Sequence, residues 1–354
     1  MKLRWNFKAS VTIILVIMVN QAYANNYYEE LLELEKSMLN GNAFVKKKVD
    51  ELGQKEKEFN KKESDLYQLL VAQKHYMHSE LKEARNVLTS LSKEAQSSDI
   101  KAKANITLAG VEHIIGNNVE AFVALDKAIN ALPAVSRARY RIGILQTSVG
   151  IYKEAELFEY ALEVGRRLQI EAQKHDDETF LCVANYELGT IELMVGETKM
   201  SKQRLLLAKS HCENSDSKLF SLLTESFLAE IEGVEGEPEK SNARLMKVLE
   251  KVEAIGWKIL IAGTNKVIAE NYIRMDDFAN AEKFALEAYK TAVEAQDKRR
   301  QEQAAGILAQ IYSESDKKEE ALKYYNEFRE LNTENKVRVR QRKLAFDIAR
   351  RGQL

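Results

Sequence analysis

The chain has 354 residues, and its 53 lysines and arginines nearly balance its 54 aspartates and glutamates. This balance argues against a nucleic-acid-binding protein, which usually carries a strong basic excess. Only two prolines occur in a sequence rich in alanine, leucine, glutamate and lysine, which predicts helix almost throughout.

The first 24 residues have the pattern of a secretory signal peptide. The basic residues Lys2, Arg4 and Lys8 come first, and an apolar run over residues 11–19 follows them. Residues 22–24 then form a small-x-small tripeptide, as signal peptidase cleavage requires. A retained membrane anchor is the alternative, but a run of nine residues is short against the ~20 that a membrane-spanning helix needs. We therefore expect cleavage before Asn25 and a periplasmic mature chain.

Two helices are predicted next, over residues 27–38 and 43–59, with Asn40-Gly41-Asn42 between them. We interpret residues 25–64 as an N-terminal helical cap or a divergent extra hairpin.

A repeat occupies residues 65–335. An aliphatic residue followed by alanine or glycine recurs seven times, and a small residue stands 13 positions after each aliphatic one. The pairs are Val71-Ala72, Leu108-Ala109, Ile142-Gly143, Leu188-Gly189, Leu228-Ala229, Ile268-Ala269 and Leu308-Ala309, and the later small residues are Ala84, Ala121, Ala155, Ser201, Ser241, Ala281 and Ala321. The spacings of 37, 34, 46, 40, 40 and 40 residues indicate a stacked repeat architecture.

Each repeat is predicted to be a helical hairpin. Eight residues after the aliphatic position, six repeats carry a turn-forming residue: Gly116, Gly150, Gly196, Gly236, Asp276 and Asp316. The recurring small residues suit helix crossings, because two helix backbones approach within about 8 Å only where neither presents a bulky side chain.

This pattern resembles the tetratricopeptide repeat (TPR). With the aliphatic residue at position 7, the small residues fall at positions 8 and 20, and further matches are Tyr152, Tyr272, Tyr312, Phe278, Ala128, Ala208, Ala288 and Pro133. The tryptophan of position 4 is missing, and the 40-residue period exceeds the family's usual ~34. We therefore expect a longer second helix or a looser loop after it.

The resemblance implies an all-α fold: an α-solenoid, forming a right-handed superhelix, of about seven TPR-like helical hairpins with N- and C-terminal capping helices. The predicted repeats span 65–98, 102–135, 136–169, 182–215, 222–255, 262–295 and 302–335.

Residues 336–354 are predicted to form a basic amphipathic helix, with Val337, Leu344 and Ile348 on one side. One role for it is to cover the last repeat, because solenoids need capped ends. The other follows from its seven basic residues against Asp347 alone, which suit contact with an anionic membrane surface or a membrane protein.

The sequence contains none of the common catalytic or cofactor-binding motifs. It lacks the glycine-rich phosphate loops, the HExxH and CxxC motifs and the GxSxG elbow, so we predict no catalytic residues, no cofactor and no enzymatic activity. His75 and His78 lie one helical turn apart, but a metal site needs three or four convergent ligands, so we predict no metal.

Cys182 and Cys212 fall at positions 1 and 31 of the fourth repeat, where the two ends of a hairpin are neighbours. In an oxidising compartment they could form a disulfide. The alternative is two thiols whose Cα atoms lie more than about 7 Å apart.

The TPR resemblance also implies a binding face, since that family binds ligands in a concave groove lined by the first helix of each hairpin. Carried across by register, the groove presents Gln73, Tyr76, Lys103, His113, Arg137, Tyr140, Tyr186, Thr190, Lys266 and Arg274. Tyrosines with flanking cations suit an extended peptide or an acidic ligand. Alternatively, Tyr140 and Tyr186 fill the inner wall of the superhelix.

These features predict a periplasmic protein-protein interaction module that senses or scaffolds in signal relay by binding a peptide or protein in the groove. The signal peptide, long-period repeats and charged last helix resemble the extracytoplasmic sensor regions of bacterial membrane-bound diguanylate cyclases, without a following transmembrane helix and output domain. The alternative is an envelope assembly or chaperone-like factor that holds extended polypeptides.

Overall fold

The structure is a computed structural model that describes residues 27–38, 43–215 and 217–352. The predicted signal peptide lies outside these residues. The described residues form sixteen α-helices and two short 3-10 turns, with no strand, and none of these helices is long and apolar enough to cross a membrane. The helices are α1 Tyr27–Met38, α2 Ala43–Gly53, α3 Lys61–Met77, α4 Leu81–Glu94, α5 Ser98–Ile115, α6 Asn118–Ala131, α7 Ala138–Glu154, α8 Phe158–His175, α9 Glu178–Met194, α10 Thr198–Glu213, α11 Lys218–Val234, α12 Pro238–Ile255, α13 Lys258–Arg274, α14 Phe278–Glu294, α15 Lys298–Glu314 and α16 Lys318–Arg351.

From α3 onward the helices follow one another as seven hairpins, which confirms the predicted all-α solenoid of TPR-like hairpins. The chain divides into two compact units, Met1–Val111 and Glu112–Leu354, and the division falls within α5. Each unit is described by itself.

In the first unit, α1 and α2 precede the first hairpin, and a row of aromatic rings attaches α1 to α3. The rings of Tyr27 and Phe59 are 5.1 Å apart, and those of Phe59 and Tyr67 are 5.5 Å apart. The second helix ends at Gly53, earlier than the predicted residue 59, and a 3-10 turn follows. The Tyr67 hydroxyl occupies the space that a Cβ atom at Gly53 would need. Asn60 then starts α3 by accepting a hydrogen bond from the backbone N–H of Glu63.

The repeat period is constant at 40 residues over six hairpins. Their first helices begin at residues 98, 138, 178, 218, 258 and 298. A residue in the left-handed conformation turns each hairpin at the same interval: Gly116, Glu156, Gly196, Gly236, Asp276 and Asp316. The predicted spacings of 34 and 46 residues are therefore wrong.

The error lies in the third repeat, whose predicted register is six residues early. Gly150, the predicted turn residue, lies inside α7, and the turn is made by Glu156 with φ 53°. Buried Ala161 takes the crossing position that the sequence pattern assigned to Ala155. Ile142-Gly143 also matches the aliphatic-small pattern of the repeat. The pattern alone therefore assigned the wrong residues to positions 7 and 8 of the third repeat.

Small residues occupy the hairpin crossings of the other repeats, as predicted. The Ser241 hydroxyl on α12 donates a 2.6 Å hydrogen bond to the Ala229 carbonyl on α11, and Ala269 and Ala281 are fully buried. Ala309 is only half-buried because it belongs to the last hairpin, where it lines an open cavity of about 550 Å³.

The extra residues of the long period lengthen the second helix in the third to sixth hairpins. The second helices have 14 residues in α4 and α6 but 16 to 18 in α8, α10, α12 and α14. The first of the two predicted alternatives, the longer helix, is therefore correct for the third to sixth hairpins. The second alternative, a longer loop, applies to the second hairpin, where residues 132–137 follow a 14-residue helix.

The last helix, α16, runs without a break from Lys318 to Arg351 and has 34 residues. The predicted boundary at residue 335 is absent, because nothing in this segment interrupts helical hydrogen bonding. At about 1.5 Å per residue the helix is roughly 50 Å long, so its second half extends well past the hairpin that begins it.

Candidate functional site

The second half of α16 packs against α6, α7 and α8, at the other end of the second unit. Phe346 is buried, and its ring centroid lies 5.3 Å from that of Phe122, 5.9 Å from that of Tyr152 and 4.7 Å from that of Tyr160. We call these four residues the Phe346 cluster. Such contacts between residues far apart in sequence mean that the second unit closes on itself.

The side of α16 predicted to be apolar is not the side that packs. Val337, Leu344 and Ile348 are 45%, 60% and 49% exposed, whereas Ala345 and Ala349 are buried beside Phe346. The helix therefore does not cover the last repeat with the predicted residues. The superhelix brings earlier hairpins against the opposite side of α16.

Charged residues reinforce this contact. Arg342 donates from Nη1 to the Glu154 carbonyl at 3.0 Å, and its Nη2 lies 3.2 Å from the Glu154 carboxylate. Lys343 lies 3.5 Å from the Glu156 carboxylate, and Arg350 donates to the Tyr160 hydroxyl. Three of the seven basic residues of this segment are thus bonded within the chain.

Glu154 connects α16 to the end of α5. Its carboxylate also lies 2.7 Å from Nε2 of His113, which is only 8% exposed. Desolvation opposes the charged form of Glu154, but the hydrogen bond with His113 and the charges of His113 and Arg342 outweigh it, so the pKa of Glu154 is lowered. His113, predicted as a groove residue, therefore has a structural partner.

A cavity of about 910 Å³ lies between α16 and the helices that it faces. Its walls come from the end of α7, the start of α13, the α14–α15 loop with the start of α15, and residues 332–343 of α16. Nine lysines and arginines line it, against four acidic residues. The nine are Lys153, Lys298, Arg299, Arg300, Lys336, Arg338, Arg340, Arg342 and Lys343.

The four acidic residues of the lining already have partners. Glu154 and Glu156 bind Arg342 and Lys343, Asp297 pairs with Arg300, and Glu302 accepts hydrogen bonds from two asparagines of α16. Within the described ranges, four of the nine cations have no carboxylate within 4 Å, although the charge of Arg299 contributes to lowering the pKa of Glu154. They are Arg299, Lys336, Arg338 and Arg340.

The ten predicted groove residues are distributed over both units, and none of them lines this cavity. In the first unit, Gln73 and Tyr76 on α3 and Lys103 on α5 are half-buried. The remaining seven lie in the second unit.

Three of those seven are core residues. Tyr140 is 2% exposed, Tyr186 is 8% exposed and Thr190 is 3% exposed. The Tyr186 ring packs against Phe220 at 5.3 Å, and burial raises its pKa. This burial fits the alternative interpretation, in which the two tyrosines fill the inner wall.

Arg137 and Lys266, two other residues of the predicted groove, are bonded to side chains of the same unit. Arg137 donates to the Tyr140 hydroxyl at 3.2 Å. Lys266 lies 3.1 Å from Glu230 and 3.2 Å from Glu270. Burial would lower the pKa of Lys266, but these two carboxylates outweigh it and raise the pKa.

Arg274 is exposed and donates to the Asn271 side chain, which is fully buried. Asn271 in turn donates to Ser241 and Asn242 on α12. Arg274 is therefore attached to a polar network that joins neighbouring hairpins.

The sequence prediction missed Lys153 and Glu154 because of the register error in the third repeat. In the corrected register these two residues fall at positions 12 and 13, the positions of the predicted groove residues His113 and Arg274, and both line the cavity. A signal was present: Tyr152 stands 120 residues before Tyr272 and 160 before Tyr312, three and four periods of 40. Matching these tyrosines would have placed the repeat correctly.

Cys182 at the start of α9 and Cys212 at the end of α10 are joined by a disulfide bond, with their Cα atoms 4.9 Å apart. It closes the open end of the fourth hairpin.

In the part of the chain that the structure describes, no group of three histidine, cysteine, aspartate or glutamate side chains could hold a metal ion. His75 is bonded to Glu80 by its Nδ1 atom.

No family model and no curated protein matches this sequence. Solved structures do match the fold. The apo form of the quorum sensor NprR from B. thuringiensis has a TM-score of 0.65 and 17% identity, over 92% of this chain and 94% of that one. NprR in complex with its cognate peptide NprX has a TM-score of 0.58 and 16% identity, over 92% and 95%. A tetratricopeptide repeat protein from Parabacteroides merdae has a TM-score of 0.52 and 15% identity, over 79% and 98%.

Proposed function

We propose that this protein is a binding module that holds a peptide or a segment of a protein partner inside its second unit. The observation that carries the proposal is the cavity of about 910 Å³ in the second unit, whose α16 packs against α6–α8. Its size lies within the range of about 300–1,000 Å³ that small-ligand sites occupy. The NprR–NprX complex, which shares the fold, supports a peptide as the ligand.

We further propose that the module works in the bacterial periplasm, in sensing or scaffolding for signal relay. The signal-peptide pattern of residues 1–24 supports export. The Cys182–Cys212 disulfide supports an oxidising compartment. A binding role is preferred to an enzymatic one because the sequence lacks the usual catalytic motifs.

Contact with a membrane surface or a membrane protein through α16 is part of the same proposal. Because Arg342, Lys343 and Arg350 are bonded within the chain and Lys336, Arg338 and Arg340 line the cavity, such contact would rely on Arg351. It would also use the exposed apolar side of the helix, Val337, Leu344 and Ile348.

Affinity capture tests the proposal. The mature chain, residues 25–354, is used as bait in envelope extract beside two variants, Phe346→Ala, which removes the centre of the Phe346 cluster, and Leu344→Ala, whose side chain is 60% exposed on the same helix. We expect the mature chain and Leu344→Ala to enrich the same peptide or protein and Phe346→Ala to lose it.

The pattern of recovery separates the two candidate functions. One defined ligand or receptor supports sensing, whereas many unrelated extended polypeptides support an envelope chaperone. Equal recovery by Phe346→Ala would contradict a site that depends on α16, and enrichment of nothing over an unrelated bait would contradict the binding role.

A further inference from the structure

The described lining of the cavity holds more than twice as many cations as carboxylates. Lys336 and Arg340 stand one turn apart on α16, with Arg338 between them, and Arg299 faces the cavity from the start of α15. None of these four cations pairs with a carboxylate of the described residues.

Arg342 adds a buried donor to the same wall. Its side chain is 13% exposed, and its Nε atom is buried with no hydrogen-bond partner. Burial lowers the pKa of Arg342, Glu154 opposes this, and the like charge of Arg338 adds to the lowering. A second anionic group in the cavity would relieve both the like-charge repulsion and the missing hydrogen bond.

The remaining lining suits a peptide backbone with short apolar side chains. Gln296 and Gln303 offer amide groups that both donate and accept, and Ile114, Ile259 and Val339 provide apolar surface between the cations. An extended chain places successive side chains on opposite sides, at about 3.3 Å per residue. Carboxylates on one side could therefore reach the cations while the other side packs on the apolar residues.

We propose that the cavity recognises a short acidic peptide, whose carboxylates bind Arg299, Lys336, Arg338 and Arg340. This inference rests on the proposed function and adds the chemical class of the ligand to it.

Fluorescence anisotropy with a fluorescein-labelled hexaglutamate peptide tests the inference on the mature chain at low salt, where charge interactions are least screened. The double variant Lys336→Gln, Arg340→Gln removes two exposed, unpaired cations of the cavity. The matched control, Lys247→Gln with Lys251→Gln, removes two exposed lysines of the same one-turn spacing from α12, away from the cavity. Because both variants lose the same charge, the comparison separates an effect of the cavity on peptide binding from an effect of the protein's net charge.

We expect hexaglutamate to bind the mature chain and the control alike, and the cavity variant to bind about tenfold more weakly. A hexaglutamine peptide of the same length should not bind. Absence of hexaglutamate binding, or equal weakening in the two variants, overturns the inference.

Failure of the inference is distinguishable from failure of the proposed function. If affinity capture recovers a partner that hexaglutamate does not displace and that the cavity variant still binds, the binding role stands and the acidic ligand does not.

Discussion

Glu171 on α8 is held by the side chains of Arg141, Lys174 and His175. Arg141 on α7 binds both of its oxygens, at 2.6 and 2.8 Å, and Lys174 and His175 each lie 3.2 Å away. The hydrogen bonds from Arg141 are the largest influence, and although burial opposes them, the pKa of Glu171 falls to about 2. Arg141 also donates to the Leu132 carbonyl, so this pair attaches α8 to the segment before α7.

The variant Glu171→Gln should lower the free energy of unfolding by about 3 kcal/mol at pH 7, because it removes the buried carboxylate whose charge is stabilised by the half-buried Arg141. A carboxylate with a lowered pKa stabilises the fold above its ordinary pKa and loses that contribution as the pH falls towards the folded value. The deficit should therefore shrink between about pH 5 and pH 2. Urea unfolding followed by circular dichroism at several pH values measures the difference in unfolding free energy between the variant and the unchanged chain.

Glu163→Gln, at an exposed position on the same helix, is the matched control and should change stability little. A deficit in Glu171→Gln that stayed constant with pH would show that the ion pair is not its cause.

At the scale of elements, α16 has two parts with different roles. Its first half completes the last hairpin, and its second half contributes Phe346 and Arg342 to contacts with earlier helices. The contact buries one phenylalanine and two alanines and otherwise depends on charged and polar groups near the surface. A small apolar contact of this kind has a low local stability compared with the hairpin cores.

Phe346→Ala should release the second half of α16 while the hairpins stay folded, because truncating a buried phenylalanine costs about 3–5 kcal/mol. Hydrogen exchange should then speed up in residues 336–351 and stay unchanged in α9–α14. Leu344→Ala, on the exposed side of the same helix, should leave exchange as it is. Unchanged protection of residues 336–351 in Phe346→Ala would mean that the Phe346 cluster does not hold the helix.

At the scale of the whole molecule, the disulfide is consistent with the proposed periplasmic location. A hairpin closed by Cys182 and Cys212 constrains the unfolded chain and is maintained where thiols are oxidised. Export through the predicted signal peptide would place the chain in such a compartment.

Expression of residues 1–354 in a bacterium should yield a periplasmic protein that begins at Asn25 and whose two cysteines resist alkylation until reduced. Intact-mass spectrometry of the periplasmic fraction, with and without reduction before alkylation, measures both features. A Cys182→Ser variant should show one freely alkylated cysteine. An uncleaved N-terminus, or two reactive cysteines in the unreduced protein, would contradict the proposed location.

The amino-acid sequence by itself determined the helical repeat. A helical repeat depends on helix propensity, on turn residues and on small residues at crossings such as Ala229 with Ser241. Each of these acts over a few tens of residues, so the sequence pattern shows the repeat directly. The same pattern failed at the third repeat, where Ile142-Gly143 imitates the motif and only the position of the turn at Glu156 reveals the register.

Only the tertiary structure decided which residues meet across the second unit. Phe346 contacts Phe122 and Tyr160, and Arg342 contacts Glu154, although 186 or more residues separate the members of each pair. Such contacts depend on the sum of small rotations between successive hairpins, and each rotation is set by side-chain packing that no local pattern records. The cavity and its lining cations follow from that sum, which is why the sequence pattern did not identify the cavity.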